Sequence, residues 1–301
     1  MYSVYPTHSP AENVDLAKTK AEQLKIPYKD GYVILNSFKE DDDERYWGTI
    51  NHYEYMVYKG LDKYIYVNGE FYQVKGKWEN EKYLLPEKDA LKLFDIQGKD
   101  GVYSVNSTSK LICKDVDKDE VLKRLSNPNI PIDNAMVTTL PGQMPGADRA
   151  YRNGKHEGFD WYAGAIGIEI SRQTKIHPIF EGRIVRIDNS FTELEVNHRE
   201  RLLQEAAESN NTSQSTLDKL RGRQVWVQSA NGILIHYAHT SSVNPKLKVG
   251  DIVKTTDWIA TVGNSGTSNG ALETNDDLHL HSDILVCGKN FWEYGVQSDM
   301  N

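Results

Sequence analysis

The sequence predicts an α+β protein, in which a small mixed α/β module precedes a β-rich antiparallel domain that carries a helical insertion. Three observations lead there. Helix-forming and strand-forming runs alternate irregularly as far as about residue 125. "SNPNIPIDNA" (126–135) then gathers prolines and turn formers, so the boundary is expected there. Beyond it, short β-rich runs are split by glycine turns and interrupted once by a long polar stretch. The expected domains are 1–135 and 136–301, and a length of 301 residues suits two.

Each element follows from local chemistry. "SPAENVDLAKTKAEQLK" (9–25) opens near Ser9 and Pro10 and continues with good helix formers, so a helix is expected. "YIYVNGEFYQV" (64–74) sets strand-forming runs on both sides of Asn68-Gly69, the pair that suits a type I′ turn. "PEKDALKLFDI" (86–96) reads as a short helix with Pro86 near its start, and "DKDEVLKRL" (117–125) as another. The module's many tyrosines are expected mainly to pack. In the second domain the strands fall in 174–188, 224–241, 251–267 and 278–286. "SFTELEVNHRERLLQEAAESNNTSQSTLDKLRGR" (190–223) reads as a helical hairpin inserted between two neighbouring antiparallel strands. Loops between paired strands tolerate length changes, so this insertion is expected to be dispensable for folding.

Composition excludes some functions. A net charge of −8 without a dense basic stretch argues against a nucleic-acid partner. No apolar run approaches the roughly 20 residues of a membrane helix. "MYSVYPTHSPAENVDLAKTK" has no signal-peptide core, which fits a cytoplasmic protein or one whose targeting segment has been removed. Cys113 and Cys287 are the only cysteines. Their apolar settings favour two buried free thiols, although sequence alone does not decide whether they pair.

The chemistry concentrates in the second domain. In "DLHLHSDI" (277–284), strand alternation turns His279 and His281 to one face and Leu280 to the other. Upstream, "YRNGKHEGFDWYAG" (151–164) spaces His156 and Asp160 with a glycine between them. Two histidines and one carboxylate suit zinc and leave its fourth position for water. In "HYAHTSS" (236–242), Tyr237 and His239 share a strand face, so His239 can join such a site while His236 cannot.

The ordered set HxxxD, YxH and HxH, with "FEGRIVRID", "NGILIHYAHTS", "KVGDIVKTTDWIATVGNSGTS" and "LHLHSDI" in sequence, resembles the LytM/lysostaphin-type zinc endopeptidases of family M23 over about residues 140–295. The resemblance implies His156, Asp160 and His281 as zinc ligands, one Zn2+ per chain, and His239 and His279 as the catalytic pair. It implies hydrolysis of peptides in bacterial peptidoglycan, in cross-bridge or stem, and a place outside the cell or in its envelope. A catalytically idle family member acting as a scaffold or peptidoglycan-binding module is the alternative, but such members typically lose a ligand. Ser282 stands where the family usually has an apolar residue, and the 190–223 insertion replaces a short connection. His177 reads as structural, His198 and Glu157 as solvated, and His236 as packed or at the surface. Tyr151, Arg152 and Asn153 read equally as groove-lining and as structural.

Overall fold

Strand-forming residues between 159 and 290 build the central sheet. A computed structural model describes residues 23–40, 44–105, 111–209 and 212–296. In it, these residues form a seven-stranded antiparallel sheet. Its order is Phe159–Tyr162, His279–Val286, Ile233–Ala238, Val225–Gln228, Gly182–Ile187 and Ile252–Val253, with Lys289–Asn290 paired to the end of His279–Val286. The strands flanking the insertion, Gly182–Ile187 and Val225–Gln228, are antiparallel neighbours as expected.

The pleat gives the two faces of this sheet different tasks. Val227, Ile235, Tyr237, Leu280 and Val286 enter the larger core, where they meet Trp161, Ile184 and Val262. Leu280 is fully buried, worth roughly 1.5–3 kcal/mol. A one-residue slip of its strand would lose that burial and turn both flanking histidines into the core, so packing sets the register of the histidine pair.

Residues 23–105 hold three further antiparallel sheets, of five, four and three strands, and one helix, Glu87–Leu93. The hairpin Tyr64–Val67 and Glu70–Gln73 turns at Asn68 and Gly69, both at positive φ as a type I′ turn requires. The helix Lys118–Arg124 is capped by the Asp117 side chain, which accepts from Glu120 N at 2.9 Å. The helix expected over 9–25 lies mostly outside the described residues. Its last residues, Gln23–Lys25, instead form a strand against Val102–Val105, where pairing outweighs local helix preference.

Apolar packing, hydrogen bonds, ion pairs and a disulfide join the two parts of the molecule. Met56, Tyr66 and Phe71 pack on Val185, Trp226, Leu234 and Leu285 of the central sheet. Gln228 accepts from Phe71 N at 2.9 Å and donates to Gly69 O at 3.1 Å. Cys113 and Cys287 form a disulfide with a Cα–Cα distance of 5.6 Å, which corrects the expectation of two free thiols. The tip of the 64–74 hairpin lies against this bond. A Cβ at Gly69 would stand 2.6 Å from Cys113 Sγ, so only glycine fits there. Val121 and Ile132, on the N-terminal side of the expected boundary at 135, pack in the larger core.

Candidate metal centre

The register of two strands assembles the centre. Asp160 lies directly opposite His281 across the Phe159–Tyr162 and His279–Val286 pair, and Tyr162 opposite His279. His156 reaches the same point from the loop before the edge strand. His156 Nε2 is 3.1 Å from His281 Nδ1, His281 Nδ1 is 2.8 Å from Asp160 Oδ1, and His156 Nε2 is 3.1 Å from Asp160 Oδ1. All three residues are buried.

The backs of the rings determine what the front can bind. A carbonyl oxygen only accepts, so His156 Nδ1 donates to Met144 O at 3.0 Å and its Nε2 presents a lone pair. His281 Nε2 donates to Asp283 Oδ1 at 2.5 Å, leaving Nδ1 toward Asp160. Burial opposes charging of His281, but Asp283 and Asp160 outweigh it and raise its pKa to about 10. Burial pushes the Asp160 carboxyl up, but the His281 and His156 imidazoles beside it outweigh this and hold it well below the usual carboxylate range. The centre therefore demands a positive charge at His281 Nδ1, from a proton or from a cation that displaces it. Two imidazoles and one carboxylate fit zinc in donor type, and donors ~2.0–2.2 Å from a tetrahedral ion stand about 3.3–3.6 Å apart, a few tenths of an ångström wider than the 2.8–3.1 Å here. Arg149 Nη2 lies 3.2 Å from Asp160 Oδ2, on the side away from this point.

The other two histidines are built differently. His279 Nδ1 donates to Asp277 O and His239 Nδ1 to Ser265 O, each at 2.8 Å. Their Nε2 atoms are left without a proton. Burial pulls both below the usual imidazole range, His239 furthest. Their ring centres are 4.7 Å apart, and His239 is 5.7 Å from His281. Tyr162 stacks on His279 at 4.1 Å. His239 stands one residue beyond the Ile233–Ala238 strand, in the left-handed conformation at φ 59°. All five residues singled out in the sequence thus line one cavity of about 600 Å³.

The insertion forms the opposite wall and corrects an expectation. Its helices are Val196–Glu208 and Gln214–Leu220. Arg199 donates to Gly266 O at 3.0 Å and Ser268 Oγ at 2.7 Å, tying the first helix across the cleft. Arg221 Nε donates to Asp283 Oδ2 at 2.8 Å, and Arg221 O accepts from His239 N at 2.9 Å. Leu217, Thr212 and Arg221 are buried. Deleting 190–223 would strip a fully buried carboxylate of its counter-charge, a loss of about 3–5 kcal/mol, so the insertion is part of the folded domain.

Other positions resolve as follows. Against the expected alternation, His236 lies on the same sheet face as His281, opposite Asp283, while Tyr237 enters the core and His239 reaches the cleft from beyond the strand. His236 stacks on Trp226 at 3.8 Å and donates to Asp283 Oδ2 at 3.1 Å, outside the cavity. Glu157, expected to be solvated, is instead paired with buried Arg152 at 2.8 Å. His177 bonds Asp257 O, as a structural residue would. Ser282 faces the core and accepts from Trp161 Nε1 at 2.9 Å. Asp283, Arg221 and Arg149 went unrecognised in the sequence. The period of two that links His279 to His281 reaches Asp283 next, and this was the available signal. Nothing local marks either arginine.

An antiparallel β domain thus places a buried His2Asp cluster able to hold a metal ion beside an open cleft. Residues 161–291 match the sequence model of peptidase family M23. His156 and Asp160 lie just before the matched span. No curated protein matches the chain in sequence. Among solved structures, a zinc-containing peptidase from Vibrio cholerae is similar at 16% identity over 53% of this chain and 36% of its own, with a TM-score of 0.31. Csd3 of Helicobacter pylori is 14% identical over 82% of this chain and 42% of its own, with a TM-score of 0.32. The catalytic domain of lysostaphin from Staphylococcus simulans is 19% identical over 56% of this chain and 88% of its own, with a TM-score of 0.29.

Proposed function

We propose that the chain is a zinc-dependent endopeptidase that hydrolyses peptide bonds of bacterial peptidoglycan, in the cross-bridge or the stem peptide, and works outside the cell or in its envelope. The observation that carries this reading is the convergence of His156 Nε2, Asp160 Oδ1 and His281 Nδ1 beside two neutral histidines in one cleft. His156, Asp160 and His281 would hold the ion. Bound zinc supplies Lewis acidity toward a carbonyl oxygen and makes water more acidic. His239 and His279 present unprotonated Nε2 atoms to the cleft, so each can take a proton from water or, once charged, return one to a leaving amine. The carbonyls of Ser265 and Asp277 fix their tautomers, and the Tyr162 ring holds His279 in plane. The insertion wall opposite keeps the peptide against this pair. Among the described residues no helix is long and apolar enough to cross a membrane.

The test incubates the full chain with purified peptidoglycan and analyses the released fragments by mass, beside metal analysis of the protein. New peptide termini that vanish on chelation, with about one zinc per chain, are the expected outcome. A chain that binds zinc stoichiometrically but opens no peptide bond is instead the scaffold or binding module.

A further inference from the structure

We propose that Asp283 is a positioning residue for the metal centre. It holds His281 with Nε2 protonated and Nδ1 turned toward the ion, and Arg221 from the insertion holds Asp283 in turn. This role presupposes the zinc site proposed above.

Asp283 is fully buried, where an unpaired carboxylate is prohibitively costly. Its two oxygens divide the work. Oδ1 accepts only from His281 Nε2, at 2.5 Å, whereas Oδ2 accepts from Arg221 Nε at 2.8 Å and His236 Nδ1 at 3.1 Å. The strand pleat puts residues 281 and 283 on one face, and His236 lies directly opposite Asp283 on the neighbouring strand. His236 is itself immobilised by its stack on Trp226. The carboxylate is therefore clamped from two sides, and the imidazole is the one partner whose orientation remains to be set. An imidazole has two tautomers and can turn about its ring axis. With a pure acceptor behind Nε2, one arrangement is favoured, and it leaves Nδ1 free to face His156 and Asp160. Carboxylates behind metal-bound histidines commonly do this. Asparagine at 283 would not substitute, because its amide nitrogen would point a donor at either Arg221 or His281.

Zinc affinity of the full chain, measured by competition with a chromogenic chelator, tests the role alongside thermal unfolding of the metal-free proteins. Asp283→Asn is expected to weaken zinc binding about 10–100-fold, and Arg221→Gln to weaken it in the same direction. A second measurement needs no variant: the 15N spectrum of histidine-labelled, zinc-loaded wild type should show His281 metallated at Nδ1 and protonated at Nε2. Zinc binding as tight in Asp283→Asn as in wild type overturns the proposal, even if that variant melts earlier. Metallation of His281 at Nε2 overturns it too. Unchanged affinity in Arg221→Gln removes the insertion's part. A wild type that binds no zinc overturns the zinc site itself and this role with it, so the two failures are distinguishable.

Discussion

His281 and His279 stand two residues apart on one strand and face the same cleft, yet the protein treats them in opposite ways. His281 has a carboxylate on each side and a pKa raised to about 10. His279, like His239 across the cleft, is backed only by a carbonyl and is pushed below the usual imidazole range by burial. The difference teaches that the group behind the ring sets the role. A charged acceptor makes a strong electron donor that wants a cation, whereas a neutral acceptor leaves a base that stays uncharged near neutrality.

The contrast can be broken most severely at His281. His281→Ala leaves two protein ligands, so metal analysis should find little zinc, and peptide release should fall to the assay background. Next come His239→Ala and His279→Ala. Both should keep zinc and fold while losing about 10²–10⁴ in cleavage rate. The double variant should lose less than the product of the single losses if the two act as one unit. Zinc loss in His279→Ala with retention in His281→Ala would invert the comparison.

His236 sharpens it at lower amplitude. It shares Asp283 with His281, but burial and the nearby arginines Arg221 and Arg186 depress its pKa to about 4 despite that carboxylate. The unfolded chain takes up this proton near pH 6.5, and the folded one only near 4. Its contribution to stability is therefore complete above 6.5 and is lost as pH falls from 6.5 toward 4. His236→Phe keeps an aromatic ring on Trp226. Urea unfolding of the metal-free variant over that range should show a pH slope shallower by up to about 1.4 kcal/mol per pH unit. An identical slope would mean that His236 is already charged in the folded protein. The smallest effect belongs to the other face of the strand. Ser282→Ala leaves Trp161 Nε1 without its buried acceptor and should cost about 1–3 kcal/mol in urea, with zinc content and cleavage unchanged.

Much of this site was legible because it is local. Two strands with period-two alternation place Asp160, His279 and His281, and Asn68-Gly69 announces its hairpin within four residues. What escaped depends on contacts between distant segments. Cys113 and Cys287 lie 174 residues apart, and no local pattern brings them together. The 190–223 insertion has the polar composition of a surface appendage, yet buried Arg221 sits 62 positions from the carboxylate it neutralises. Gln23–Lys25 carries helix formers but finds an open strand edge at Val102–Val105. Each miss is a tertiary contact overriding a local preference.

The left-handed backbone at His239 has one further consequence. A residue with a Cβ enters that region at about 1 kcal/mol or more, and glycine enters it freely. His239→Gly should therefore withstand denaturant better than His239→Ala, although on the proposed function both would cleave far more slowly than wild type. Thermal tolerance and turnover thus favour different residues at position 239. A variant library screened for heat resistance alone would favour glycine over alanine there at the expense of the imidazole, so on the proposed function directed improvement of this chain has to select for cleavage as well.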